Sequence, residues 1–314
     1  MKTLLLWAFC WMATSVSAHE FWIAPDRFTA RVNEPIALSV RVGEGFLGEP
    51  AAFGQPMAVS LRWHHRAGKK DLTTRLPPTL GQDRVAMAFD RAGTHVIALD
   101  TQPTPSELPA DKFTDYLRED GLEHIVALRE AKGQSDQVGR ERFQRHVKTL
   151  LSVGNQHDSA YRVRTGQILE IVPLKNPQLV KPGESLAVEV LFKGAPLAGA
   201  LVRVWNRSGD DVEVLTDRTD AAGRSVATLS RCGRYMVSVV HMVPAADPQA
   251  HDWDSHWGNL TFETSGDPSR CSADPRSIQR SPDQRARRVG NGSEMGQITA
   301  VDHQHLSGHV AGRR

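Results

Sequence analysis

Past the first eighteen residues this sequence has no long apolar run. A membrane-spanning helix needs about 20 predominantly apolar residues, so no membrane span is expected in the rest of the chain. Cysteine is scarce, with 3 among 314 residues. No C-x-x-C pair is present, which excludes the common redox and zinc-ribbon spacings. H-E-x-x-H, G-x-S-x-G, G-x-G-x-x-G and P-loop patterns are all absent, so the chain is expected not to be an enzyme. An excess of one charge is missing too. The net charge is +2, and residues 264–314 hold eight arginines against five acids. That leaves 29 basic and 31 acidic side chains in residues 19–263, too balanced for a nucleic-acid-binding surface. Residues 264–314 contain no Phe, Tyr or Trp and are rich in Arg, Ser, Gly and Asp. Such a composition buries too little apolar surface to order itself, so a disordered tail is expected.

What is present begins with a leader. Lys2 supplies a positive start, Leu4 to Ala13 a short apolar stretch, and Val16, Ser17 and Ala18 the small residues of a cleavage site. This is the layout of a secretory signal peptide spanning residues 1–18. It predicts a periplasmic protein whose mature chain starts at His19. Of the three cysteines, Cys232 and Cys271 would remain, and an oxidising compartment permits them to pair.

Period-two alternation dominates the mature chain. Ile36, Leu38, Val40 and Val42 alternate with polar or small residues, as do Met57, Val59, Leu61 and Trp63, and then Val85, Met87 and Phe89. Short strands between Gly- and Pro-containing turns predict a β-sandwich for residues 19–168. Residues 106–132 read as a helical insertion: Phe113, Tyr116 and Leu117 share one helical face, Leu122, Ile125 and Val126 another, and Gly121 separates them. Residues 142–153 return to a strand period. A second β-sandwich is predicted for residues 169–263. Leu186, Val188, Val190 and Phe192 alternate there, and residues 219–224 read as a hairpin turn. Its pattern is transthyretin-like or carboxypeptidase-regulatory-like, a fold that serves many functions. The expected architecture is mainly β, with two sandwich domains.

The candidate chemistry rests on histidine. As a first residue, His19 offers a free α-amine and the ring Nδ1 to one metal ion, since both groups lose protons near neutral pH. One further imidazole completes a three-nitrogen set suited to Cu(II) or Ni(II), the arrangement called a histidine brace. His241 shares strand parity with Tyr235, Val237 and Val239 and is either a core residue or the third ligand. His251 and His256 lie in a segment, residues 251–257, that reads as a polar and aromatic loop before the last strand. Trp253 and Trp257 there read as caps on the sandwich. Glu20 is a carboxylate ligand or an acceptor that orients an imidazole. His64 and His65 are adjacent, so on a strand they point to opposite faces. His95, His124, His146 and His157 read as structural or surface residues, and His303, His305 and His309 as a loose tail.

Several segments together resemble a known bacterial family. They are His19-Glu20-Phe21-Trp22-Ile23-Ala24-Pro25 after the leader, Leu108-Pro109-Ala110-Asp111-Lys112-Phe113, and Tyr116-Leu117-Arg118-Glu119-Asp120-Gly121-Leu122. Leu169-Glu170-Ile171-Val172-Pro173, Val240-His241-Met242-Val243-Pro244, and Trp253-Asp254-Ser255 with Trp257 continue the match through about residue 263. The chain resembles an exported domain-of-unknown-function family grouped with NikM-like, nickel-uptake substrate-specific proteins. That resemblance implies a two-domain β protein linked to nickel or cobalt handling, and it points to His19 and His241. NikM-like proteins carry membrane spans, whereas this chain has none after Glu263. A soluble accessory to a metal uptake transporter is therefore the expectation, with nickel, cobalt or copper as its ion. Two rivals remain at this level: a copper histidine-brace oxidase acting on polysaccharide, and a metal-free extracytoplasmic interaction module.

Overall fold

A computed structural model describes residues 20–81, 84–154, 156–209 and 211–264, together with the backbone of 287–288. The protein is mainly β. The first half contributes β1 (Glu20–Pro25), β2 (Thr29–Ala30), β3 (Ile36–Glu44), β4 (Leu47–Ala51), β5 (Ala58–His65) and β6 (Gly68–Asp71). It continues through β7 (Arg84–Met87), β8 (Gly93–Thr101), β9 (Thr104–Leu108), α1 (Ala110–Glu119), α2 (Glu123–Ala131) and β10 (Gly139–Val153). The second half contributes β11 (Leu169–Pro173), β12 (Ser185–Phe192), β13 (Ala195–Pro196), β14 (Leu201–Ser208), β15 (Asp211–Arg218), β16 (Arg224–Thr228), β17 (Gly233–Pro244) and β18 (Trp253–Thr264).

The two halves share one sheet. Its strands run β15-β14-β17-β18-β10-β8-β5-β6, and the join is the parallel pair β10–β18, from Glu141 opposite Trp253 to Thr149 opposite Thr261. Two smaller sheets pack on this shared sheet. One holds β1, β3, β4 and β7, and the other β11, β12, β13 and β16.

Alternation decides which face each covers. Ile97, Leu99, Val147 and Leu151 point to the front, into a core with Phe21, Ile23, Ile36 and Leu38. Val96, Leu150, Val237, Val239, Leu260 and Phe262 point to the back, into a core with Ile171, Val188 and Val190. The two sandwiches are thus offset on opposite faces of one continuous sheet rather than joined by a linker. Helices α1 and α2 also lie on the front face, where Phe113, Tyr116, Leu117 and Ile125 cover Val240, Met242, Trp253 and Trp257.

The helical insertion divides as its apolar faces predict, but it starts later. Residues 104–108 pair with β10 as a strand, and Pro109 precedes the first helical turn. Gly121 sits between the helices with φ +70°, and a Cβ there would lie 2.6 Å from Leu201 Cβ. Both facts require glycine. The strand expected at 142–153 runs from Gly139 to Val153. Residues 219–224 form the expected turn, with Asp220 Oδ1 accepting from the amides of Ala222 (2.9 Å) and Arg224 (2.8 Å). That turn passes the chain between sheets instead of closing a hairpin, because β15 pairs with β14 while β16 pairs with β12. The expected signal peptide and the expected disordered tail lie outside the described residues.

Candidate functional site

β17 and β18 are antiparallel, and His241 stands directly opposite His256. Both rings project from the back face, continuing the row of Tyr235, Val237 and Val239 beyond the end of the apolar core. Phe192, the last residue of β12, closes that core against them. Its ring centroid is 4.5 Å from His241 and 5.3 Å from His256. The edge of β17 is open here, because β14 stops pairing at Val239. His124, in the first turn of α2, fills the gap. Its Nε2 lies 3.1 Å from the Met242 carbonyl oxygen, and its ring stacks on His241 at 5.8 Å.

A polar chain reaches the pair from the other side. Asp100 on β8 lies 2.7 Å from His146 Nδ1, and His146 Nε2 lies 3.1 Å from His256 Nδ1. Asp100 is also held by Gln167 Nε2 (3.1 Å), Ser60 Oγ (3.1 Å) and the guanidinium of Arg62. A carboxylate can only accept, so His146 carries a proton on Nδ1. With a neutral His146 ring, Nε2 accepts from His256 Nδ1 and the His256 Nε2 lone pair is left over. Burial holds the His256 imidazole at about 4, helped by His146, and holds His241 at about 4, helped by His124 and Lys193. Both rings are uncharged at neutral pH, the state a metal ligand needs.

The residues expected to ligate do not all converge. Glu20 is buried on the opposite, front face of the sheet, where its carboxylate accepts from Ser238 Oγ (2.9 Å) and Asn259 Nδ2 (3.1 Å). Desolvation raises its pKa. Strand parity thus separates Glu20 from His241 and His256, and its lone pairs are already engaged. His251 lies at the rim of the back face, with Nε2 2.9 Å from Asp254 Oδ1, and Arg142 pairs with the same carboxylate. His19 lies outside the described residues. Among the described residues no group of three His, Cys, Asp or Glu side chains is arranged to hold a metal ion. His241 and His256 are thus neighbouring imidazoles on the back face, paired across β17 and β18.

Residues 253–257 are the start of β18 rather than a loop, since β17 and β10 pair with them on both sides. Trp253 and Trp257 cover the front face under the helices, and Trp257 stacks on Tyr116 at 5.9 Å. His64 and His65 do face opposite ways. His64 is buried beside Lys148 and Glu170, while His65 stacks on His95 at 4.5 Å. His95 is structural, as expected: its Nδ1 accepts from Trp63 Nε1 (2.8 Å), and its Nε2 lies 2.9 Å from the Arg91 carbonyl. His146 and His124, by contrast, belong to the candidate site. Only the parallel β10–β18 register and the open edge of β17 bring them there, and neither can be read from one sequence. Cys232 is buried and disulfide-bonded. Cys271, the expected partner, lies outside the described residues. No described helix is long and apolar enough to cross a membrane.

Comparison with known proteins gives a family and little else. No curated protein matches the sequence. Among solved structures, the D00–D0 domain of Intimin aligns with 79% of this chain and 100% of its own, at 9% identity and a TM-score of 0.21. Three N-terminal domains of the bacteriophage RB49 Highly Immunogenic Outer Capsid protein (Hoc) align with 77% of this chain and 59% of their own, at 12% identity and a TM-score of 0.16. Likenesses of that size carry no inference. Residues 16–243 match the family described as "Domain of unknown function (DUF4198)", and because that match covers most of the chain, the protein belongs to the DUF4198 family.

Proposed function

We propose that this protein is an exported, periplasmic transition-metal-binding accessory protein serving nickel or cobalt uptake, and that it binds rather than catalyses. The observation that carries this reading is the cross-strand pair His241 and His256, with the Asp100–His146 chain reaching His256 Nδ1. A carboxylate that fixes an imidazole tautomer through hydrogen bonds is the usual support behind a metal ligand. Imidazole donors suit nickel, cobalt and copper alike. His124, stacked on His241 at 5.8 Å, is the donor proposed to join them. The amine and ring of His19 make a second donor set, and Glu20 beside it faces the other side of the sheet. The uptake role rests on the resemblance to NikM-like proteins.

The oxidase reading is weaker. It needs a flat aromatic surface beside His19, but Trp22 is 2% exposed and packed edge-on against Phe46.

The test is calorimetric titration of Ni(II), Co(II) and Cu(II) onto the chain starting at His19, onto the same chain with one extra Gly before His19, and onto His241→Gln/His256→Gln. Loss of binding in the double variant with retention in the Gly-extended chain supports the back-face pair. Loss only in the Gly-extended chain moves the site to the amino terminus. No binding to any of the three rejects the metal reading.

A further inference from the structure

A cleft lies away from the histidines, where the small front sheet meets β14, β17 and β18 of the shared sheet. It encloses about 620 Å³, within the range of small-molecule sites, which favour such junctions between packed units. Ser39, Ser208 and Thr261 add hydroxyls to its lining, and the nearly buried Trp22 and Phe46 border it.

Charge sets this cleft apart from an otherwise balanced body. Four arginines line it, Arg41, Arg84, Arg207 and Arg234, each from a different strand. Among the described residues two acids line it with them, Asp26 and Glu263, and both are engaged: Arg27 lies 3.5 Å from Asp26, and Arg234 lies 3.5 Å from Glu263. Arg41 and Arg207 stand on opposite walls, on β3 and β14. Arg41 Nη1 donates to the Gly48 carbonyl (2.6 Å), and Arg207 Nε donates to the Gly209 carbonyl (3.0 Å). Among the described residues neither has a carboxylate partner. Main-chain carbonyls thus orient both guanidiniums while their remaining N–H groups stay available. A guanidinium fork is built for planar oxyanions, with carboxylate the closest match.

We infer that this cleft binds a small organic polycarboxylate, its carboxylates bridging Arg41 and Arg207. The inference is independent of the metal reading.

Citrate is the probe, titrated calorimetrically onto the metal-free full-length mature chain, with inorganic phosphate and glycerol in parallel. Saturable citrate binding is expected. It should weaken at least tenfold in Arg41→Gln and in Arg207→Gln, about 1.4 kcal/mol each, with unchanged melting temperatures. His241→Gln/His256→Gln should bind citrate like the unaltered protein, so failure of the metal site leaves this result standing. Glycerol should not bind. Amide shifts at Ser39, Ser208 and Gly233 in two-dimensional spectra should locate the ligand. The inference is overturned if citrate does not saturate, if the Arg variants bind it equally, or if phosphate binds more tightly than citrate.

Discussion

Lowering the pH should unfold this protein through its unprotonated imidazoles, and His256 gives the cleanest reading. In the fold its imidazole titrates at about 4, against 6.5 when unperturbed. Between those values the unfolded chain holds a proton that the folded chain refuses. Stability is therefore complete above 6.5 and drains as the pH falls toward 4. Each pH unit in that window costs about 1.4 kcal/mol per imidazole. From pH 7 to pH 5 the loss from His256 alone is roughly 2 kcal/mol. His241 and His95 are also held at about 4, chiefly by burial, and each adds a similar slope. Domain stabilities of about 5–15 kcal/mol leave little after three such losses. The assay is urea unfolding at constant ionic strength with EDTA, at pH 7, 6 and 5, for the unaltered protein and His256→Gln. The variant should be weaker at pH 7, having lost the His146 contact, and its stability should fall between pH 7 and 5 by about 2 kcal/mol less. Parallel pH curves for the two proteins would refute the claim that His256 is held unprotonated in the fold.

Two further perturbations test the frame around the site. Lys148 and Glu170 form an ion pair of 3.0 Å with both side chains 3% exposed, and Glu170 also accepts from Thr165 Oγ1 (2.9 Å) and the Gly166 amide (3.0 Å). Lys148→Met leaves that carboxylate buried without its cation, and should cost about 3–5 kcal/mol in chemical unfolding. Gly121→Ala forces a Cβ to 2.6 Å from Leu201 Cβ at φ +70°. It should cost at least about 1–2 kcal/mol and lower the melting temperature.

Much of the fold was legible because alternation is local. The strands through Leu38, Leu61 and Val188 and the helix faces of Phe113 and Ile125 lie where their periods put them. Gly121 marked the helix break correctly. The shared sheet was not legible, since β10 and β18 pair in parallel across a separation of more than a hundred residues. That pairing also made residues 253–257 a strand, although His251, Asp252 and Asp254 suggested a loop. The site was half visible. His241 and His256 were singled out, but their alignment across β17 and β18 depends on register. His146 joins them only through the parallel neighbour, and Asp100 only through β8. Glu20 misled because adjacency to His19 says nothing about which face of a sheet a strand lies against.

The central claim is that the back-face imidazoles take a transition-metal ion. The direct measurement is imidazole ¹⁵N spectroscopy of the chain starting at His19 during Co(II) titration. Before metal, His256 should show the Nδ1–H tautomer. At one equivalent, the His256 Nε2 and His241 signals should shift or broaden together. A full equivalent that leaves both rings unperturbed would contradict the account.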